Sequence, residues 1–319
     1  MKREKYTNAF NRLKGVICEV AASYGCSRLY LWLDALWAHI FYGVTPNQYI
    51  GWSFYAKSRL DRNTFYTARL FKRLEPKLND NCNYHVFWDK QIFNKEFKEF
   101  VGRDWIYAPD ASLEDIHAFI NKYDKIIIKP TSESAGKGIH IYENSDSIED
   151  LISRKSLLEE YIEQHPIMAL PNPSSVNSVR VYTLLDDNGN PHILSSCMRV
   201  GGLGSATDNF HSGGVAYPID IEHGIIIGAG ADMNGKRYYY HPDSNYKMIG
   251  LEIPYWDRLV DFVFRAARKF PKSRMIAWDV AVKSNGFALL EGNYNGDPGI
   301  LQTPLQKGLL PQIKKYMMR

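Results

Sequence analysis

The chain has 319 residues, of which 45% are hydrophobic, 23% charged and 13% aromatic. That is enough for two domains or one large multi-lobed unit, at roughly 100–200 residues per domain, and too apolar for a disordered chain. Lys and Arg total 39 against 35 Asp and Glu, a net charge of +4, which is far from the basic footprint of a dedicated nucleic-acid binder and excludes that partner class. Cys18, Cys26, Cys82 and Cys197 form no C-x-x-C pair, so neither a disulfide framework nor a cysteine zinc site is expected, and a reducing, cytoplasmic compartment fits best. Met1 to Lys5 is basic, but Asn8, Asn11 and Arg12 interrupt the segment through Leu13, so no signal peptide is expected.

Residues 1–80 carry helical spacing: Leu13, Val16, Ile17 and Val20, then Leu31, Leu33, Leu36, Trp37 and Ile40. The apolar run Leu29 to Val44 contains Asp34 and His39 and is 16 residues long, short of the roughly 20 that cross a bilayer. It reads as a buried helix, and no transmembrane segment is expected. Thr45-Pro46-Asn47 opens a further helix, and Pro76 with Asn79, Asp80 and Asn81 marks a break. A helix from Lys90 to Val101 places Phe93, Phe97 and Phe100 in one stripe.

From Tyr123 the pattern changes. Lys125 to Pro130 is a β-branched strand that Pro130 stops, followed by the small, polar, glycine-bearing stretch Thr131 to Gly138. Ile139 to Tyr142 reads as a returning strand, Ser147 to Arg154 as a short helix, and Ser156 to Ile162 as another strand. Ser178 to Leu185 and His192 to Val200 form a hairpin across Asp186-Asp187-Asn188-Gly189-Asn190. A helix over Tyr255 to Phe270 precedes strands Met275 to Val282 and Phe287 to Glu291, joined by Ser284-Asn285-Gly286.

The final pair of strands holds the most specific chemistry. Its turn brings Asp279 beside Glu291 and Asn293, and these last two point to one face of an extended strand. Two carboxylates and an amide carbonyl suit a hard cation such as Mg²⁺, which completes its shell with water and phosphate oxygens; a strand-end salt bridge explains them equally well. Main-chain N–H groups over Ser132, Ser134, Ala135, Gly136 and Gly138 can fold over phosphate oxygens, with Lys137 among them, or form a simple mobile hairpin. The segment is not a Walker A loop, because Gly136-Lys137 is followed by Gly138 instead of Ser or Thr. Glu159, Glu160, Tyr161 and Ile162 can lie beside a flat ring or form a solvated edge. Arg180 and Arg199, each within a strand, require an anion, either a ligand or a core carboxylate.

In this order, with Asp89-Lys90 before and Asn209-Phe210-His211-Ser212-Gly213-Gly214 between, the residues from about 86 to 303 resemble the ATP-grasp enzymes. Asn209 to Gly214, Glu291-x-Asn293 and Pro298-Gly299 are similar to the glutamate-ligase and glutathione-synthetase branch. The helical front, with Tyr49, Ser58, Arg62 and Arg103-Asp104-Trp105, is most similar to the sugar-transfer-associated ATP-grasp proteins.

The resemblance implies an α+β chain: a helical section over 1–85, a small lobe with a glycine-rich lid over 86–165, and a large lobe with a metal site over 166–319, the two lobes holding ATP between them. Lys90 and Lys129 would meet the phosphates beneath a lid of Ser132, Ser134, Gly136, Lys137 and Gly138. Glu159 and the backbone of Glu160, Tyr161 and Ile162 would meet adenine. Asp279, Glu291 and Asn293 would bind Mg²⁺, while Arg180 and Arg199, helped by Asn209, would hold the γ-phosphate or a substrate carboxylate. The implied activity is ATP-dependent joining of a small-molecule carboxylate to an amine, with a sugar acid and an amino acid as the expected pair in surface polysaccharide synthesis. A phosphotransferase or a non-catalytic ATP-binding accessory protein is the alternative on the same fold.

Overall fold

The computed structural model describes residues 2–131, 138–143, 145–202, 213–294 and 296–317. Its strands are β1 (Trp105–Tyr107), β2 (Ile126–Pro130), β3 (His140–Ile141), β4 (Ser156–Glu160), β5 (Val179–Leu185), β6 (Pro191–Val200), β7 (Val215–Ile219), β8 (Gly230–Ala231), β9 (Arg237–Tyr238), β10 (Met275–Lys283) and β11 (Gly286–Asn293). They form two antiparallel sheets, one ordered β1-β4-β2-β3 and the other β11-β10-β5-β6-β7-β8-β9.

The small sheet buries one face. Ile126 and Ile128 of β2 and Leu158 of β4 alternate inward and pack with Ile116 and Phe119 of the helix Leu113–Lys122 and Leu151 of the helix Ile148–Ser153. The opposite face carries Ile127 and Lys129 of β2 and Leu157 and Glu159 of β4. Ile127 pairs with Glu159 and Lys129 with Leu157, so Lys129 and Glu159 are diagonal neighbours on one surface, within reach of long side chains.

The large sheet is covered on both faces. The helix Trp256–Arg268 lays Leu259, Phe262, Val263 and Ala266 against Val179, Val181, Met198, Trp278 and Val280. Phe93, Phe97 and Phe100 join this same core. The single helix expected over Lys90 to Val101 is interrupted at Phe97, giving Lys90–Glu96 and Lys98–Val101, but its aromatic stripe is buried as expected. The boundary expected at residue 86 therefore falls in a stretch whose apolar side chains belong to the core of the large sheet. On the other face, Tyr182 and Leu184 of β5 and Met275 and Ala277 of β10 pack with Tyr66, Leu74 and Leu78 from the helical front and with Ile300, Leu301, Leu310 and Ile313 near the chain's end. Asn79 fastens this front to the sheet: its amide donates to the carbonyls of Met275 and Tyr294 and accepts from the Met275 N–H.

The front section buries its own core, including Leu13, Ile17, Val20, Leu31, Trp52, Phe54 and Phe65. Thr45 caps the helix Pro46–Gly51 reciprocally with Gln48. The helix expected to be buried over Leu29 to Val44 is a correction. Residues Arg28–Trp37 and the π-turn Ala38–Tyr42 are helical, but only Leu31, Ala38 and Val44 are buried, while Leu33, Leu36, Trp37 and Ile40 stand half or more exposed. Periodicity found the helix but could not tell how much of its wide apolar surface the rest of the chain would cover. Among the described residues no helix is long and apolar enough to cross a membrane.

Candidate active site

One face of the large sheet changes character along its strands. On β5 the residues facing the helical front run Leu184, Tyr182, Arg180; on β10 they run Met275, Ala277, Asp279. Apolar residues thus give way to charge at one end of the sheet. Asp279 lies directly opposite Arg180 on one neighbour and opposite Glu291 on the other.

Glu291 reaches this face through a β-bulge. The β10–β11 register shifts between Asp279 and Val280, so that Asp279 pairs with Glu291 while Val280 pairs with Leu289. Without the extra residue, Leu289 and Glu291 would share a face, being two apart. The bulge at Leu290 sends Leu289 into the large core and turns Glu291 toward Asp279.

The buried Asp279 carboxylate is gripped by two arginines. Arg180 Nε and Nη2 donate to Oδ1 and Oδ2, each at 2.6 Å, and Arg199 Nη1 donates to Oδ2 at 2.7 Å. All three side chains are under 10% exposed, so the interaction is charge-assisted and largely removed from water. Burial alone would raise the Asp279 carboxyl, but Arg180 and Arg199 outweigh it and hold the group well below the usual carboxylate range. The salt-bridge alternative for Asp279, Arg180 and Arg199 is therefore formed.

Glu291 is different. Its side chain is 45% exposed and its Oε1 lies 3.8 Å from Arg180 Nη2. Desolvation, then the neighbouring Asp279, push its carboxyl above the ordinary range. Asn293 Nδ2 bridges the pair, 3.1 Å from Glu291 Oε1 and 3.5 Å from Asp279 Oδ2.

The expected metal trio is thus brought together. A carboxylate offers about four lone-pair sites, and on Asp279 three face guanidinium donors with Asn293 Nδ2 3.5 Å from Oδ2, so a cation would be held chiefly through Glu291, and Asn293 would join it only with its amide turned to present Oδ1. A hard cation fits this oxygen donor set, since it would offset the repulsion that raises Glu291. Among the described residues no group of three or more His, Cys, Asp or Glu side chains is placed to hold a metal.

The small lobe carries a second charged cluster. Arg103 Nε and Nη2 fork onto Glu159 at 2.7 and 2.9 Å, Lys129 Nζ lies 2.5 Å from Oε2, and Asn94 donates to Oε1 at 3.0 Å. Burial would raise Glu159, yet Arg103 and Lys129 hold it well below its ordinary value; burial lowers Lys129. Both carboxylate oxygens of Glu159, expected beside adenine, are engaged inside the protein. Glu160 accepts from the Asp104 N–H through its side chain, and its own N–H donates to the Asp104 carbonyl. Tyr161 N–H donates to Lys125 O, and Ile162 is buried with Ala281 and Ala288. A ring laid along this segment would not be read by the Glu160 and Tyr161 amides.

Arg103 also links the lobes. Its Nη1 donates to the carbonyls of Val101 and of Leu289 in β11, at 2.9 and 2.8 Å. Beside it Gly102, at φ +63°, packs so closely on β11 that a Cβ would stand 2.3 Å from the Phe287 carbonyl oxygen. Across this junction Glu291 also favours the charged form of Lys129, weakly, beside Glu159. Lys90 Nζ reaches the Pro130 carbonyl at 3.3 Å, at the end of β2. Ser132, Ser134, Gly136, Lys137 and Asn209 lie outside the described residues; Gly138 is exposed, at φ +69°.

The amino-acid pattern alone gives Arg103 and Asn94 no role in the site. Their partner Glu159 lies 56 and 65 residues away, and the only local signal is an arginine after a glycine that the chain forces against another strand.

The family model described as sugar-transfer associated ATP-grasp matches residues 151–317, just over half of the chain. No curated protein matches. Among solved structures, the chain is similar to ATP-grasp ligase PsnB in complex with a phosphomimetic variant of its minimal precursor, Mg and ADP, at 14% identity and TM-score 0.46, covering 77% of this chain and 64% of that one. It is similar to a D-alanine–D-alanine ligase from Bacillus anthracis at 15% identity and TM-score 0.45, covering 77% and 74%. It is also similar to N5-carboxyaminoimidazole ribonucleotide synthetase from Thermotoga maritima at 10% identity and TM-score 0.41, covering 70% and 47%. This chain therefore spans less than two thirds of the length of PsnB in that complex. On the family match the protein, with its α+β architecture and helical N-terminal section, belongs to the sugar-transfer associated ATP-grasp family and has the ATP-grasp fold.

Proposed function

We propose that this protein is an ATP-dependent, ADP-forming carboxylate–amine ligase, with the nucleotide held between the small-lobe and large-lobe clusters. The observation that carries this reading is charge. Four cations (Arg103 and Lys129 on Glu159, Arg180 and Arg199 on Asp279 beside Glu291) meet three carboxylates, an excess suited to a polyanion with a divalent counterion.

In this reading Lys129, positioned by Glu159, and Lys90 neutralise nucleotide phosphates. Arg180 and Arg199, held in place by Asp279, present their guanidinium edges to the transferring phosphoryl group or to the substrate carboxylate. Glu291, with Asn293 once its amide presents Oδ1, would hold Mg²⁺ beside Asp279; the ion, when bound, would neutralise charge on phosphate oxygens. A substrate carboxylate oxygen attacks the γ-phosphorus and the bond to ADP breaks, giving an acyl phosphate. An amine then attacks the acyl carbon, inorganic phosphate leaves, and the amine loses a proton to give the amide. Phosphoryl transfer of this kind asks the protein for positioning and charge stabilisation, consistent with a site built from forked ion pairs.

In this reading, which goes beyond the family's description as sugar-transfer associated, the acceptor is a carboxylated sugar or a related precursor, joined to an amino acid or amine in surface polysaccharide synthesis in the cytoplasm. The deciding experiment measures ADP release across a panel of sugar acids and amino acids. Release that depends on both partners is expected. Release with the carboxylate alone, leaving a stable phosphorylated product, would make the protein a phosphotransferase; no release with any mixture would leave it an ATP-binding accessory protein.

A further inference from the structure

The exposed helix of the front section points to a role that the ATP-binding cleft does not explain. Leu29, Leu33, Leu36, Trp37, Ile40 and Phe41 are between 50 and 68% exposed. Together they leave bare on the order of 600 Å² of apolar surface, at the top of what a soluble monomer normally tolerates. The face is smooth in charge as well. Asp34, the one acid between Arg28 and Tyr42, accepts both prongs of Arg62 at 2.7 and 2.8 Å and the Tyr49 hydroxyl at 2.7 Å, so its charge is compensated. Trp37 and Phe41 stack, with centroids 3.7 Å apart.

The surroundings select the occupant. Residues 1–85 contain thirteen Lys and Arg against six Asp and Glu, a net +7, whereas the rest of the chain carries −3. Exposed Arg28 begins the helix, and exposed Arg69 donates to the carbonyls of His39, Ile40 and Phe41 at its other end. Exposed Lys72 and Arg73 lie beyond Arg69 on the helix Ala68–Leu78. An apolar face in a strongly cationic section matches an acyl-chain boundary beneath anionic headgroups. A symmetric contact between two copies would set one +7 section against another.

We propose that this face, from Arg28 to Tyr42, docks the protein on an anionic phospholipid surface. The helix lies in the plane of the interface, because its 15 residues fall short of the roughly 20 needed to span a bilayer. Arg28, Lys72 and Arg73 supply the electrostatic attraction, and the leucines, Trp37 and Phe41 enter the headgroup boundary.

Co-sedimentation with vesicles tests this without reference to nucleotide chemistry. The full chain is expected to pellet with phosphatidylcholine vesicles containing phosphatidylglycerol, to remain in solution with phosphatidylcholine alone, and to dissociate as salt is raised. The double variant Leu33→Asp/Trp37→Asp, altered only at exposed positions, should keep the wild-type unfolding midpoint and lose binding by at least about tenfold. Equal binding of variant and wild type, equal binding to neutral and anionic vesicles, or no binding at all would overturn the proposal. So would a wild-type dimer in sedimentation velocity that the double variant dissolves, which would make the face a self-association surface.

Discussion

The two charged clusters are built alike and behave differently. In each, one buried carboxylate is forked by an arginine and touched by a second cation: Glu159 by Arg103 and Lys129, Asp279 by Arg180 and Arg199. The small-lobe cluster is closed, because Asn94 fills the remaining side and Arg103 ties it to β11 through Leu289. The large-lobe cluster ends instead in a second carboxylate, Glu291, half open to solvent and pushed above its ordinary range by desolvation and by Asp279. A closed ion-pair network holds parts in place. One that ends in a carboxylate destabilised by its neighbour is suited to receiving a cationic ligand.

That contrast can be broken most directly at Arg103. Arg103→Ala leaves Glu159 buried with half its compensation and cuts a link between the lobes, so denaturant unfolding should show a loss of about 3–5 kcal/mol. A change as mild as that of a surface residue would erase the distinction between the clusters. Asp279→Asn, which leaves two buried guanidiniums facing a neutral group, should cost about 3 kcal/mol in the same assay.

Acid titration sharpens the comparison. Glu159 has a depressed folded value, so its stabilisation is present above the unfolded carboxylate value of about 4.3 and fades as pH falls below it toward the folded value. The stability gap between wild type and Glu159→Gln, measured by urea denaturation, should therefore be largest near neutrality and shrink on acidification; a gap that widens in acid would contradict the pairing. The smallest stability effect is expected at Glu291. Its raised value means that ionisation works against the fold at neutral pH, so Glu291→Gln should stay within about 1 kcal/mol of wild type or be slightly more stable. ADP release by the same variant should nevertheless vanish. Full activity would remove Glu291 from the metal assignment.

Much of the scaffold was legible from local rules. The turn over Ser284-Asn285-Gly286 predicts the β10–β11 pairing, because strand partners across a short hairpin are set by spacing, but spacing alone sets Asp279 opposite Leu290 and brings Glu291 only close to it. The alternation of Ile126, Ile128 and Lys129 likewise predicts which side of β2 is apolar. The bulge at Leu290 was not legible: nothing in Phe287 to Glu291 announces an extra residue, and it shows only when Leu289 and Glu291 need opposite faces. Nor was the engagement of Glu159 by Arg103, since long-range ion pairs leave no local pattern. The outer face of the Arg28–Tyr42 helix misled for a related reason: apolar periodicity marks a surface to be covered and does not say by what.

The central claim, that the open cluster receives a nucleotide with its divalent ion, is tested most directly by calorimetric titration of ATP with and without Mg²⁺ into wild type and Glu291→Gln. Mg²⁺-dependent binding to the wild type, with loss of that dependence in the variant, is the predicted result. ATP binding that is absent, or whose response to Mg²⁺ is the same in both proteins, would contradict it.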